Sequence, residues 1–167
     1  MDIHLQQCGT VDWASSFIDR ELTLRPDVVL VHLGTNDLKS MSPSVFSDIL
    51  MELVQKIEQK YDCPVLISEV LPRRDRHKSK VDTANRLLRS NGLRTIDHQQ
   101  ITESHLFDEV HLGRFTTSGN DISGVELFAK DLYWGMYGME PPPGKVSQAT
   151  SRSRSPQRSN YGNGKGY

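Results

Sequence analysis

The sequence predicts an α/β fold built on a parallel sheet, and three observations support this prediction. Residues 27–33 form a continuous, β-branched apolar run, which is typical of a strand buried on both faces of a parallel sheet. A second apolar run covers residues 64–71. Stretches of helical periodicity separate such runs, and strands that alternate with helices form right-handed β-α-β units. The 167 residues suffice for one domain with its own core.

Two weaker strands complete the predicted sheet. Residues 93–96 form a third, shorter apolar run, and residues 3–6 predict a short strand that opens the chain.

Four helices are predicted between and after the strands. The first covers residues 11–22 and the last residues 125–137. Ser42 and Pro43 are typical of an N-cap and first helical position, and the helix they begin has apolar residues at helical spacing: Phe46, Ile49, Leu50, Leu53 and Ile57. Another helix contains Val81, Ala84, Leu87 and Leu88, with Gly92 as its C-terminal stop.

The composition divides the chain into a globular domain, residues 1–138, and a disordered tail, residues 139–167. Prolines at the start of the tail form a turn-rich break, and Ser, Arg, Gly and Asn follow with almost nothing apolar to bury. An arginine-serine segment at residues 151–156 makes weak nucleic-acid binding through residues 145–167 a hypothesis. A tail without a dedicated ligand is the favoured interpretation.

Charge and composition exclude several classes of function for the body of the chain. Basic residues without acidic ones follow Pro141, so residues 1–140 are net acidic, which argues against a general nucleic-acid binder. No apolar stretch is long enough for a membrane span. Cys8 and Cys63 lack partners at metal-ligand spacing, so no zinc site is expected. The pair suits a reducing compartment and slightly favours the cytoplasm. The oligomeric state is not indicated.

A polar turn leaves the strand at residues 27–33. In open α/β sheets, active sites form at the carboxyl ends of the strands. Gly34 permits close approach of a ligand, and Asn36 places an amide donor where an oxyanion would be held. Because Gly, Asn and Asp are common turn formers, a plain turn at residues 34–37 is the alternative.

A second polar segment precedes the last predicted helix. Asp108 lies three residues ahead of His111, so its carboxylate can turn onto Nδ1 of the imidazole and orient the ring for general-base catalysis. The alternative is a surface Asp with a helix-capping His.

Together, these segments resemble the sequence blocks of the SGNH hydrolases, the GDSL-like lipases and esterases. Residues 26–37 resemble the third block, which contains Gly-x-Asn-Asp, and residues 108–112 resemble the last block, Asp-x-x-His-Leu. The strand ending at residues 71–74 resembles the strand between those blocks, and Gly9 lies where the second-block glycine falls. The resemblance covers about residues 3–137.

The resemblance implies a flavodoxin-like three-layer α/β/α fold and hydrolysis of a small acyl ester through an acyl-serine. It implies that His111 is the general base, Asp108 its orienting carboxylate, and Asn36 and the Gly9 N–H the oxyanion donors. Gly34 and Asp37 would support the turn. No metal or organic cofactor is implied.

The chain departs from the family at the first block. No Gly-Asp-Ser is present, and only eight residues precede Gly9, too few for the strand and serine turn of that block. Ser15 and Ser16 fall on the first predicted helix, and Ser68 falls within a strand, so none is assigned as nucleophile. The absent first strand would be central in the order 2-1-3-4-5. We therefore expect a truncated chain that is inactive by itself.

Three further features keep open interpretations. The basic cluster of residues 73–80 binds an anion or, as the favoured interpretation, is a solvated loop. Residues 113–123 are longer than the family needs there and are interpreted as a flexible loop. Four other histidines have no partner at useful sequence spacing: His4, His32, His98 and His105.

Three hypotheses follow for the function. The first is a serine esterase whose first block is absent from this sequence. The second is a non-catalytic SGNH-like binding module that engages RNA or a protein through its basic tail. The third is a general α/β domain in which the motifs arise by chance, so that replacing His111 would alter only local packing.

Overall fold

The computed structural model describes residues 3–114 and 122–138. Strands and helices alternate as the sequence predicts. In chain order, the elements are α1 (Val11–Arg20), β1 (Val29–His32), α2 (Asp37–Ser40), α3 (Pro43–Tyr61), β2 (Val65–Ser68), α4 (Lys78–Ser90), β3 (Thr95–Ile96), a 3₁₀ turn (Glu103–His105) and α5 (Gly124–Tyr137).

Within the described residues the sheet has three parallel strands in the order β1-β2-β3. Val29 pairs with Val65, and Ile67 pairs with Thr95. The strands are shorter than the apolar runs that predicted them, because the ends of the runs lead into the turns at the carboxyl edge. The prediction of a parallel α/β sheet is confirmed.

Local signals in the sequence set the bounds of the longest helix. The Ser42 side chain accepts a hydrogen bond from the backbone N–H of Val45, and Pro43 occupies the first turn, as predicted. The helix ends at Asp62, whose φ of 51° is left-handed, a conformation that Asp adopts more readily than most residues.

Helices cover both faces of the sheet. One face packs against α3, with α1 and α4 alongside it, and its core includes Val31, Val65 and Ile67 from the strands. On the other face α5 packs against β2 and β3, where Gly135 contacts Ile96 so closely that an added Cβ would lie 2.3 Å from its Cδ1. This is the predicted three-layer α/β/α arrangement.

The predicted opening strand at residues 3–6 is wrong. These residues form no regular element, and Ile3 and Leu5 are 68% and 88% exposed. A strand needs a hydrogen-bonded neighbour. Within the described residues β1 is an edge strand, so the neighbour that the predicted strand order places between β1 and residues 3–6 is absent.

Some predictions lie outside the described residues. The tail at 139–167, with its hypothetical nucleic-acid segment 145–167, is not described, and the boundary after residue 138 stays a prediction. Most of the loop 113–123 is likewise not described. Among the residues that are described, no helix is long and apolar enough to cross a membrane.

Candidate active site

Asp108 and His111 form a hydrogen-bonded pair on the surface. Oδ2 of Asp108 lies 2.7 Å from Nδ1 of His111, while Oδ1 accepts the backbone N–H groups of Val110 and His111, each at 2.8 Å. These contacts, that of the Val110 N–H above all, hold the pKa of Asp108 well below its ordinary value. The carboxylate is therefore charged, and the tight turn holds the Nδ1 edge of the imidazole.

The imidazole is open on its other side. The side chain of His111 is 76% exposed, and no described residue hydrogen-bonds to its Nε2. A ring whose Nδ1 is held by a carboxylate and whose Nε2 faces solvent can accept a proton from an incoming hydroxyl.

Arg74 holds the loop that carries this pair. Its Nη2 donates to the carbonyl oxygens of Leu106 and Asp108, both at 2.7 Å, and its backbone N–H donates to the carbonyl of Glu109 at 2.8 Å. The segment that leaves β2 is thus bonded three times to the loop of the candidate base.

The turn after β1 depends on Gly34. Its φ is 116°, and an added Cβ would lie 2.6 Å from Cγ2 of Val70 and 2.7 Å from Cζ of Phe46. Only glycine fits this conformation at this distance from the core. The turn continues directly into α2, a short helix that the sequence analysis did not predict.

Asn36 and Asp37 connect this turn to the start of α1. Nδ2 of Asn36 lies 3.1 Å from the carbonyl oxygen of Gly9, and Oδ1 of Asp37 accepts the backbone N–H of Val11 at 3.0 Å. Nζ of Lys39 donates to Oδ1 of Asn36 at 3.1 Å. The two residues that the resemblance implies as oxyanion donors, Asn36 and Gly9, are therefore neighbours.

Arg73 joins the turn after β1 to the turn after β2. Its side chain is 1% exposed, its Nη1 donates to the carbonyl of Thr35 at 2.8 Å, and its Nε donates to Oδ1 of Asp75 at 2.6 Å. Arg73 and Arg74 are consecutive, so one bonds to the Thr35–Asn36 turn and the other to the Asp108–His111 loop.

The basic cluster at residues 73–80 contains both buried and exposed side chains. Arg73 is buried and ion-paired, Arg74 bonds to backbone carbonyls, and Lys80 donates to the carbonyls of Leu38 and Met41 at 2.8 and 2.9 Å. Arg74, Arg76 and Lys78 are exposed, as the solvated interpretation expects, whereas Arg73 and Lys80 bond to other loops. Their role is to connect loops, and sequence pattern does not distinguish buried arginines from exposed ones.

Two of the four histidines described as lacking partners lie in a buried network instead. Nε2 of His98 lies 2.9 Å from Oγ of Ser68, and its Nδ1 lies 2.8 Å from Oδ2 of Asp131. Nδ1 of His32 lies 2.8 Å from the same Oγ. His105 also has a partner, since its Nδ1 accepts the backbone N–H of Thr102. These pairs are far apart in sequence or lie in irregular turns, so spacing did not reveal them.

No described serine fills the place of a nucleophile beside His111. Ser68 is buried in the network above, and Ser15 accepts a hydrogen bond from Nζ of Lys56 at 2.6 Å on α1. Among the described residues no group of three or more His, Cys, Asp or Glu side chains is arranged to hold a metal ion.

No family model and no curated protein matches the sequence. The structure is similar to a member of the lipolytic G-D-S-L family from Veillonella parvula, with 17% identity, a TM-score of 0.59 and coverage of 74% of this chain and 73% of that one.

Two further solved structures are similar. A GDSL-like lipase from Bacteroides thetaiotaomicron has 15% identity, a TM-score of 0.58 and coverage of 78% of this chain and 72% of that one. A carbohydrate esterase of family 3 from Talaromyces cellulolyticus has 14% identity, a TM-score of 0.58 and coverage of 77% and 62%. The chain therefore has the α/β/α fold of the GDSL-like SGNH hydrolases.

Proposed function

We propose that the complete domain hydrolyses small acyl esters by a Ser-His-Asp mechanism, and that its nucleophilic serine belongs to a segment outside these 167 residues. The observation that carries this proposal is the 2.7 Å contact between Asp108 and His111, with the ring open at Nε2. The fold shared with structures described as lipases and esterases supports the reaction class.

The proposed roles follow from the positions of the donors and acceptors. Nε2 of His111 takes the proton of the serine hydroxyl as its oxygen attacks the ester carbonyl, and then gives that proton to the leaving alcohol. A water molecule attacks the acyl-serine in the second half, with the same base. Asn36 keeps one N–H beyond its bond to Gly9 and can donate it to the oxyanion, as can the backbone N–H of Gly9.

An unpaired carboxylate oxygen supports the place of an additional segment. Asp37 is 2% exposed, yet among the described residues its Oδ2 has no hydrogen-bond partner. Buried polar atoms are nearly always satisfied, and a carboxylate oxygen without a donor is costly. A backbone N–H from an added turn beside Asn36 would satisfy it.

The exposed edge of β1 supports the same conclusion. Val29 donates its backbone N–H to Pro64 on the β2 side, so by alternation the N–H groups of Leu30 and His32 point to the opposite edge. Within the described residues no strand pairs with β1 on that edge. An apolar strand paired with β1 would bond these groups, and its carboxyl end would emerge beside the Gly34–Asn36 turn.

The chain by itself should therefore show no esterase turnover above background. We would assay p-nitrophenyl acetate hydrolysis by this chain and by a longer chain that includes the preceding coding sequence of its gene. His111→Ala tests the base, and His4→Ala is the matched control at another exposed histidine. Turnover by the longer chain alone, lost in His111→Ala and retained in His4→Ala, is the expected result.

Two other results would reject the proposal. If both chains fold but neither turns over ester, the domain is a non-catalytic SGNH-like binding module. If the short chain hydrolyses the ester through His111, a serine within the 167 residues is the nucleophile.

A further inference from the structure

A buried hydrogen-bond chain crosses the face of the sheet under α5. It runs from Asp131 on α5 to His98 after β3, then to Ser68 on β2 and His32 on β1, with successive contacts of 2.8, 2.9 and 2.8 Å. The Ser68 residue is 1% exposed, and the side chain of His98 is 3% exposed. This network thus links α5 to β1, to β2 and to the segment that follows β3.

The order Ser68, His98 and Asp131 is that of a nucleophile, a base and an orienting carboxylate, but the surroundings do not suit catalysis. The ring of Phe128 packs against both imidazoles, with centroid distances of 4.8 Å to His32 and 5.1 Å to His98. Oγ of Ser68 is bonded to both imidazoles in a residue that is 1% exposed, so an ester cannot reach it. Holding α5 to the sheet is the role that this geometry fits.

The number of hydrogen atoms available in this network limits the positive charge that it can hold. Asp131 accepts the Nδ1–H of His98, so Nε2 of a neutral His98 accepts the Ser68 hydroxyl while His32 donates its Nδ1–H to the same oxygen. If His98 gains a proton, Ser68 can reverse its hydroxyl toward His32. If both rings are charged, the hydroxyl hydrogen has no acceptor and two like charges face one buried oxygen.

Other charged groups lie beside Asp131, at one end of this hydrogen-bond network. Asp131 borders a surface depression that also contains Glu69, Arg89 and Asp97. Glu69 and Arg89 are paired with each other at 2.7 Å. Among the described residues, Asp131 is the only carboxylate that is hydrogen-bonded to His98 or His32.

The first turn of α5 is bonded to the residues that follow His111. The backbone N–H of Val125 donates to the carbonyl of Gly113 at 3.3 Å, and the N–H of Gly113 donates to the carbonyl of His105 at 2.8 Å. A Cβ added to Gly124 would lie 2.7 Å from that same His105 oxygen. Movement of α5 would therefore move the loop of the candidate base.

We propose that Asp131, His98, Ser68 and His32 form a latch that holds α5 on the sheet, positions the Asp108–His111 loop through the first turn of α5, and opens in acid as the buried His32 gains a proton. Its value for catalysis rests on the proposed function, whereas the latch itself does not. The depressed pKa of His32, to about 4, agrees with it: burial is the main cause and His98 the second.

Hydrogen exchange of backbone amides in the full chain tests the latch. In Asp131→Ala, exchange of α5 amides at pH 7 should rise about tenfold, in line with the loss of one buried hydrogen bond. If that variant does not fold, Ser68→Ala serves instead, and because it removes two contacts it should raise exchange at least as much. The Phe107 and Gly113 amides should follow, and the centre of α3 should not. In the unsubstituted chain, the protection of α5 amides should fall as the pH drops from 6.5 to 4. In His32→Asn the protection should persist over this pH range, because Asn can bond to Ser68 without titrating.

Three outcomes would overturn the latch. They are unchanged exchange of α5 in a folded Asp131→Ala or Ser68→Ala, equal pH dependence in the unsubstituted chain and His32→Asn, and labelling of Ser68 by a small fluorophosphonate at pH 7, which would identify a nucleophile. Because exchange needs no turnover, an inactive longer chain would reject the proposed function and leave the latch standing.

Discussion

Arg73 donates a 2.8 Å hydrogen bond from Nη1 to the carbonyl oxygen of Thr35, the residue before Asn36. The same guanidinium is paired with Asp75 and is almost fully buried. This bond connects the carboxyl ends of β1 and β2 at the point where the candidate oxyanion donor leaves the sheet. The geometry of the turn thus depends on a residue 38 positions later in the sequence.

Arg73→Lys should lower the free energy of unfolding by about 2–4 kcal/mol, because lysine cannot bond to both Thr35 and Asp75 with the fork of a guanidinium. Urea unfolding followed by circular dichroism measures the change. Arg76→Lys, at an exposed neighbour, is the control and should be near neutral. Equal effects of the two substitutions would show that the buried bonds of Arg73 contribute little.

Asp108→Asn in the catalytically complete chain should lower kcat roughly 10²–10⁴-fold, because an amide N–H placed against Nδ1 of His111 selects the wrong tautomer. Steady-state hydrolysis of p-nitrophenyl acetate gives kcat. Glu109→Gln removes the neighbouring exposed carboxylate and should leave kcat within about twofold. An unchanged kcat in Asp108→Asn would remove Asp108 from the mechanism.

Gly34→Ala should destabilise the fold by about 2–5 kcal/mol, because a left-handed residue gains a Cβ that overlaps Val70 and Phe46. Gly92→Ala separates the two causes. Gly92 also has a positive φ, of 75°, but nothing lies within 4 Å of its Cβ position, so it should cost about 1 kcal/mol. Similar losses in thermal unfolding would assign the effect to backbone strain alone.

The stability of the fold should fall as the pH drops from 6.5 to 4. The pKa of His32 is about 4 in the folded chain against an ordinary 6.5, so the unfolded chain binds this proton first. The contribution is complete above pH 6.5 and is lost by about pH 4, with a magnitude of about 3 kcal/mol. Hydrogen bonds lower the pKa of Asp75 and Asp108 more than burial raises it, led by the Arg73 side chain for Asp75 and the Val110 N–H for Asp108, so the stability from these two carboxylates is lost only below their ordinary 3.8.

Urea unfolding at a series of pH values tests this dependence, and His32→Asn should flatten it. Desolvation also lowers the pKa of His77, so His77→Asn is the matched control. If His77→Asn flattens the profile and His32→Asn does not, the buried network is not its source.

The sequence predicted the layers and the base loop because their signals are local. Apolar runs mark β1 and β2, Ser42 and Pro43 mark the start of α3, and the spacing of Asp108 and His111 is enough for their contact in a turn. Each of these features depends on residues within a few positions of one another.

The features that the sequence did not predict depend on distant partners. Residues 3–6 have apolar content for a strand but no neighbour to pair with, and Ser68, His98 and Asp131 meet only when β2, the segment after β3 and α5 pack together. The burial of Arg73 likewise depends on the fold around it. Tertiary contact, rather than local pattern, determines these positions.

The position of the serine that a covalent inhibitor labels tests the proposed Ser-His-Asp mechanism. The longer chain, with the coding sequence that precedes residue 1, would be treated with a fluorophosphonate and analysed by peptide mass spectrometry, beside its His111→Ala variant. We expect one labelled serine, upstream of Met1 in the present numbering, and loss of that label in His111→Ala. A His111-dependent label on any serine within residues 1–167 would contradict it.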